Sequence, residues 1–137
     1  IPISEHHRRH RPAEQRFQML KLGVALERGR LYQRIERRTD RMMEQGLVEE
    51  VSDLAGRGYS WELRPLKTMI YRPMVDYLRD KLDLSQAVEA IKTASKRYAK
   101  RQMTWLNADS DIRWIDADRN GWEGMVAGMA VRFWEAN

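Results

Sequence analysis

The sequence predicts a mainly α-helical chain carrying two short strands. Three observations lead there. Most of residues 30–135 fall into segments with apolar residues three or four apart, each bounded by glycine, proline or a capping polar residue. Only two runs, one within residues 17–26 and one at residues 112–115, have the composition or alternation of strands. The balance of 33% charged and 42% hydrophobic residues suits a globular chain rather than a disordered one, and 137 residues suffice for one domain with a sizeable core.

Residues 1–16 are polar and basic and are expected to form a loosely ordered arm. The arm holds His6, His7 and His10, but no carboxylate–histidine pattern surrounds them, and no metal ligand is assigned. Residues 17–26 (FQMLKLGVAL) supply the first strand. A long helix is expected from about Arg30 to Gln45, closed by Gly46, and a second from about Leu47 to Ala55, stopped by Gly56 and Gly58. Residues 59–65 make a loop around Trp61 and Pro65. A third helix covers roughly Lys67 to Lys81. Proline is tolerated only in a first turn, so Pro73 moves its start toward Tyr71. Asp83 and Gln86 have the spacing of a capping box and open a fourth helix reaching about Trp105. Ile112 to Ile115 alternate as a strand, Asn120-Gly121 makes a turn, and a last helix covers about Trp122 to Glu135. Two such strands cannot form a stable sheet alone, so they should be edge pieces of a larger sheet or a pair covered by helices.

The net charge of +5 is unevenly placed: +6 over residues 1–38, −2 over 39–84, +4 over 85–107 and −3 over 108–137. Two basic blocks suit either a polyanion-facing surface or two helices with solvated arginine-rich faces. The absence of cysteine excludes disulfides, cysteine-containing zinc sites and a thiol nucleophile. No apolar run approaches the roughly 18 residues of a membrane span, and no leader is visible, so a cytoplasmic protein is expected. No Gly-x-x-x-x-Gly-Lys-Ser/Thr loop and no serine–histidine–carboxylate arrangement is present.

Two helices each set a polar residue into an apolar stripe. At ~100° per residue, Leu31, Ile35 and Met42 share an arc with Arg38, while Arg30, Arg34, Arg37 and Arg41 line the adjacent face. Such an arginine either snorkels or pairs internally, or it is held by packing and aimed at a phosphate. On the fourth helix Ala87, Ile91, Ala94, Tyr98 and Trp105 share a face with Gln102. As a buried glutamine, Gln102 would need partners for both ends of its amide, from a capped loop or from a ligand. Tyr71, Tyr98 and Trp105 are either plain core or stacking surfaces for bases.

Several segments follow one another at a recognisable spacing: Leu31-Tyr32-Gln33-Arg34-Ile35-Glu36-Arg37-Arg38, Met42-Met43-Glu44-Gln45-Gly46-Leu47-Val48-Glu49-Glu50-Val51, Ile70-Tyr71-Arg72, Tyr98-Ala99-Lys100-Arg101-Gln102-Met103-Thr104-Trp105 and Trp114-Ile115-Asp116. From about Leu20 to Asp116 the chain resembles the C-terminal part of the tRNA dimethylallyltransferases. The resemblance implies transfer of a dimethylallyl group from its diphosphate to N6 of adenosine 37, beside the anticodon, with the base extruded into a channel. It implies a P-loop, nucleoside-kinase-like α/β fold, of which residues 17–137 would be the C-terminal helical portion. Magnesium would assist the diphosphate, with no ligand assigned in this chain. Arg38 would contact the diphosphate and stabilise the leaving group. Lys67, Thr68, Tyr71 and Arg72, together with Lys100, Arg101, Gln102, Thr104 and Trp105, would lie against the tRNA anticodon stem-loop. A monomer is expected.

The chain departs from the family pattern at Ile70, where glycine is usual, at Pro73, where an acid or amide is usual, at Ser95-Lys96 in place of Thr-Arg, and at Asn107 in place of arginine. No residue matches the phosphate loop or the catalytic aspartate. The chain is therefore expected to be part of a longer enzyme and inactive alone. The alternative is a non-catalytic, basic RNA-binding module derived from the family. A helix-turn-helix DNA binder is disfavoured, because no second helix combines a short turn with base-reading side chains.

Overall fold

The structure, a computed structural model, describes Glu5 and residues 18–136. Apart from Glu5, the basic arm expected at residues 1–16 lies outside the described residues. The elements run β1 (Leu22–Ala25), α1 (Arg28–Glu44), α2 (Leu47–Gly56), a 3-10 turn (Arg64–Lys67), α3 (Tyr71–Leu78), α4 (Leu84–Leu106), β2 (Arg113–Asp116) and α5 (Trp122–Glu135). The described chain is thus mainly helical with two short strands. It divides into two compact units: a helical one, Leu26–Ser110, and a smaller one in which the stretch ending at Ala25 joins residues from Asp111 onward.

In the helical unit, α1 starts two residues earlier than expected because Glu27 caps it. The Glu27 carboxylate accepts from the backbone N–H groups of Gly29 (2.8 Å) and Arg30 (3.0 Å). Gly46, at φ +91°, both ends α1 and caps α2, so one residue in the left-handed region turns the chain between two helices. Pro65 sits at the start of the 3-10 turn. Pro73 falls in the first turn of α3, where a backbone N–H has no helical acceptor in any case. Helix α3 stops at Leu78 rather than near Lys81: Asp80 adopts φ +56° and the Lys81 N–H returns to the Asp76 carbonyl at 2.9 Å. The capping box of α4 forms as expected, Asp83 Oδ1 accepting from the Gln86 N–H (2.8 Å) and Gln86 Oε1 from the Asp83 N–H (2.9 Å).

The core consists of Leu47 and Val51 of α2, Leu66 of the 3-10 turn, Met74 and Val75 of α3, and Ala87 and Ile91 of α4. Each large side chain of this set contributes about 1.5–3 kcal/mol by leaving water. Helix α1 adds only one buried residue, Thr39, whose hydroxyl donates to the Ile35 carbonyl at 3.0 Å. Half-buried Met42 and Met43 pack it against the core. Two ion pairs clamp it to α4: Lys92 to Asp40 (2.8 Å) and Lys96 to Glu36 (2.5 Å). The Asp40 carboxylate raises the Lys92 ammonium pKa above its ordinary value.

In the smaller unit, β1 and β2 pair in parallel, Leu22 opposite Arg113 and Val24 opposite Ile115, and α5 packs on β2. The expected strands therefore pair with each other. A parallel pair needs a long crossover, and the helical unit is the segment that connects them. Gly23 is required by proximity: a Cβ there would lie 2.7 Å from the Ile112 and Trp114 side chains.

Candidate functional site

The candidate site lies within the helical unit, where α1 runs past α4. A cleft of about 380 Å³ opens between them. Its apolar walls include Leu31, Ile35 and Met42 of α1, Met69 and Ile70 ahead of α3, and Ile91 of α4. Its polar groups are Arg38, Thr39, Ser95, Tyr98 and Gln102. A broader recess of about 760 Å³ lies along α1 and is lined by Arg34, Arg37, Arg38 and Arg41 with Leu26 and Gln45. Arg38, Leu31, Ile35 and Met42 line both.

Arg38 is exposed, so its place in the apolar stripe does not bury the guanidinium. Arg38 lines the wall shared by the two recesses. None of Arg34, Arg37, Arg38 and Arg41 has a carboxylate or hydrogen-bond partner among the described residues. The carboxylates that could have served them, Glu36 and Asp40, are taken by Lys96 and Lys92. Arg34–Arg37, Arg34–Arg38, Arg37–Arg41 and Arg38–Arg41 are like-charge neighbours three or four apart, each disfavouring the free helix by about 0.2–0.5 kcal/mol. An anion placed here relieves that repulsion, and the cleft beside it offers apolar surface. The arrangement suits a ligand that combines phosphate with an apolar or aromatic group.

Gln102 is exposed rather than buried, and Tyr98 and Trp105 are 44% and 78% exposed. The core reading of the α4 stripe therefore holds only for Ala87 and Ile91. The cause is length. At 23 residues α4 extends about 35 Å, while its partner α3 has 8 residues, so the last turns of α4 outrun the core. Gln102 still lines the cleft, whereas Lys100, Arg101, Thr104 and Trp105 do not. The Arg101 guanidinium stands over the Tyr98 ring at 5.9 Å, and the Thr104 hydroxyl donates to the Lys100 carbonyl at 3.0 Å.

The other predicted contact segment is mostly engaged within the chain. Lys67 pairs with Glu62 (2.7 Å), and Arg72 with Asp76 (2.9 Å). The Thr68 carbonyl accepts the Arg72 N–H at 2.9 Å. The Tyr71 hydroxyl donates to Glu50 Oε1 at 2.6 Å, and this bond, with burial second, raises the phenol pKa above its ordinary value. None of these four residues lines the cleft, but Met69 and Ile70 between them do. Sequence reading did not assign Met69 or Ser95 to the site. Ser95, Tyr98 and Gln102 are three, four and seven residues apart, which is the signal that places them on one strip of α4.

Neither recess contains a carboxylate among its lining residues, and no group of three or more His, Cys, Asp and Glu gathers among the described residues. A hard divalent cation needs oxygen donors, so these walls do not fit magnesium, and no ligand to it is assigned here. No helix among the described residues is long and apolar enough to cross a membrane.

A sequence profile of the IPP transferase family matches residues 1–109. The chain belongs to that family. It is 43% identical over 116 residues to a tRNA dimethylallyltransferase 2 from Syntrophus aciditrophicus, covering 85% of this chain and 37% of that protein. It is 44% identical over 114 residues to a tRNA dimethylallyltransferase from Pelotomaculum thermopropionicum, covering 83% and 36%. The fold is similar to that of the full-length tRNA isopentenylpyrophosphate transferase from Bacillus halodurans, with TM-score 0.79, 31% identity, and 90% and 42% of the two chains covered. It is also similar to a tRNA isopentenylpyrophosphate transferase from Staphylococcus epidermidis, with TM-score 0.80, 25% identity, and 97% and 43% covered. The chain thus spans about two-fifths of the length of these family members.

Proposed function

We propose that this chain forms the leaving-group and tRNA-facing side of a tRNA dimethylallyltransferase. In the reaction, N6 of adenosine 37 attacks C1 of dimethylallyl diphosphate. The C–N bond forms, the C–O bond breaks with its electron pair leaving on pyrophosphate, and N6 gives up a proton. Arg38 stabilises the negative charge that develops on the departing diphosphate oxygen. Tyr98 and Gln102, across the same cleft, offer a ring face and an amide to the extruded base. The single observation supporting the reading is Arg38, without a partner among the described residues, on the wall shared by an arginine-lined recess and an apolar cleft. Lys67, Thr68, Tyr71 and Arg72, with Lys100, Arg101, Thr104 and Trp105, would follow the tRNA outside the cleft. Magnesium would neutralise the diphosphate, held by groups other than those lining these recesses. The acceptor of the N6 proton and the P-loop phosphate cradle are assigned to no residue here, so these 137 residues alone are expected to give no turnover.

The test is steady-state kinetics on the complete enzyme. Arg38→Ala should lower kcat by about 10²–10³-fold while tRNA affinity changes only a few-fold. Unchanged kcat with weakened tRNA binding would rule out the role. Loss of tRNA binding without any dependence on an unpaired adenosine would favour the non-catalytic module instead.

A further inference from the structure

Helix α1 sorts its charges by side. Glu36 and Asp40 face the lysines of α4, while Arg34, Arg37 and Arg41 line the broad recess with no partner among the described residues. Arg57, Lys67 and Arg72 of the helical unit, by contrast, are paired with Asp53, Glu62 and Asp76. Three arginines without a partner among the described residues thus fall along one flank of one helix. Arg34 and Arg41 are two turns apart with Arg37 between them, so their Cβ atoms recur about every 5–6 Å along the flank. That interval matches a chain of successive phosphates better than a single anion. The recess is broad and open, as a strand laid along it requires, and it adjoins Arg38.

We propose that Arg34, Arg37 and Arg41 form a track for the phosphodiester backbone of the RNA strand next to the target base. Arg38 handles the diphosphate leaving group. The three neighbouring arginines hold the substrate strand through charge-assisted, sequence-independent contacts, positioning it rather than reading it. The proposal rests on the tRNA reading of the adjoining cleft. It assigns these residues to affinity and salt dependence, and not to the chemical step.

The experiment measures binding of an anticodon stem-loop RNA to the 137-residue chain by anisotropy across a salt series. The wild type should lose affinity linearly in log salt. The triple variant Arg34→Gln/Arg37→Gln/Arg41→Gln should flatten the slope by about two to three. The triple lysine variant should keep the slope, separating charge loss from misfolding, and circular dichroism should match in all three. An unchanged slope in the glutamine variant overturns the proposal. Inorganic tripolyphosphate competing as well as the RNA also overturns it, because the site would then take a free polyphosphate. A stem-loop with uridine in place of the unpaired adenosine keeps the two readings apart. If it binds with the same arginine-dependent slope, the track stands. Adenosine dependence of prenyl transfer by the complete enzyme tests the catalytic reading separately.

Discussion

A guanidinium and a phenol show how local partners set the work a side chain can do. Arg38 has no carboxylate partner among the described residues, whereas Arg72 is engaged by Asp76 at 2.9 Å. Tyr71 spends its hydroxyl on Glu50. Tyr71→Phe should therefore cost about 1 kcal/mol in a urea titration. The same bond fixes a pH dependence. The folded phenol holds its proton above the ordinary value of about 10, because ionisation would break its hydrogen bond to Glu50 and charge a partly buried oxygen beside that carboxylate. Its contribution to stability is complete below pH ~10 and is lost as pH rises through the folded value. Spectrophotometric titration of the native chain should show a late-titrating component that disappears in Tyr71→Phe. An ordinary midpoint for every tyrosine would contradict the assignment.

Among the elements, the helix ends were the most legible part of the sequence. Asp83 with Gln86, Gly46 after a periodic run, and Pro73 in a first turn each carry a local steric or hydrogen-bonding cause, and all three act as expected. Asp83→Ala should lower the unfolding midpoint by the equivalent of about 1 kcal/mol. Gly46→Ala should cost at least about 1 kcal/mol, since φ +91° is costly for a residue with a Cβ. What the wheel could not show is where an amphipathic face stops being covered. Ile91 and Trp105 share one stripe of α4, yet one is 1% and the other 78% exposed. Periodicity records direction around the helix axis, while burial also depends on the length of the partner helix. For the same reason Gln102, read as a buried amide on that stripe, is exposed, whereas the exposed Arg38 matches the snorkelling reading its position allowed. The Lys92–Asp40 and Lys96–Glu36 pairs were illegible because they join residues more than 50 positions apart.

For the whole molecule, stability should be unevenly shared. The helical unit owns Val51, Met74, Val75 and Ile91, all essentially without exposure, whereas the smaller unit has a four-residue parallel ladder and a helix, α5, with no buried residue. Native-state hydrogen exchange should find the slowest amides in α2, α3 and the first half of α4, with β1 and α5 exchanging at much lower opening free energies. Met74→Ala should destabilise the helical unit by about 2–5 kcal/mol. Uniform protection across both units would refute this partition. The two strands were read correctly from sequence as local segments, but their parallel pairing was not, because the crossover between them spans the entire helical unit.

The reach of α4 beyond its neighbours has an optical consequence. With 78% of its surface in water, Trp105, like Trp134 at 84%, should emit at longer wavelength than the half-buried Trp61 and Trp122 and be quenched by iodide before them. Trp105 lies one turn after the basic residues Lys100 and Arg101, on the segment proposed to face RNA. A nucleobase stacking on the indole would darken it, and bound RNA would screen it from iodide. The segment proposed to face RNA thus carries an unlabelled fluorophore. Titration with stem-loop RNA should reveal it as a quench present in the wild type and in Trp134→Phe but absent in Trp105→Phe.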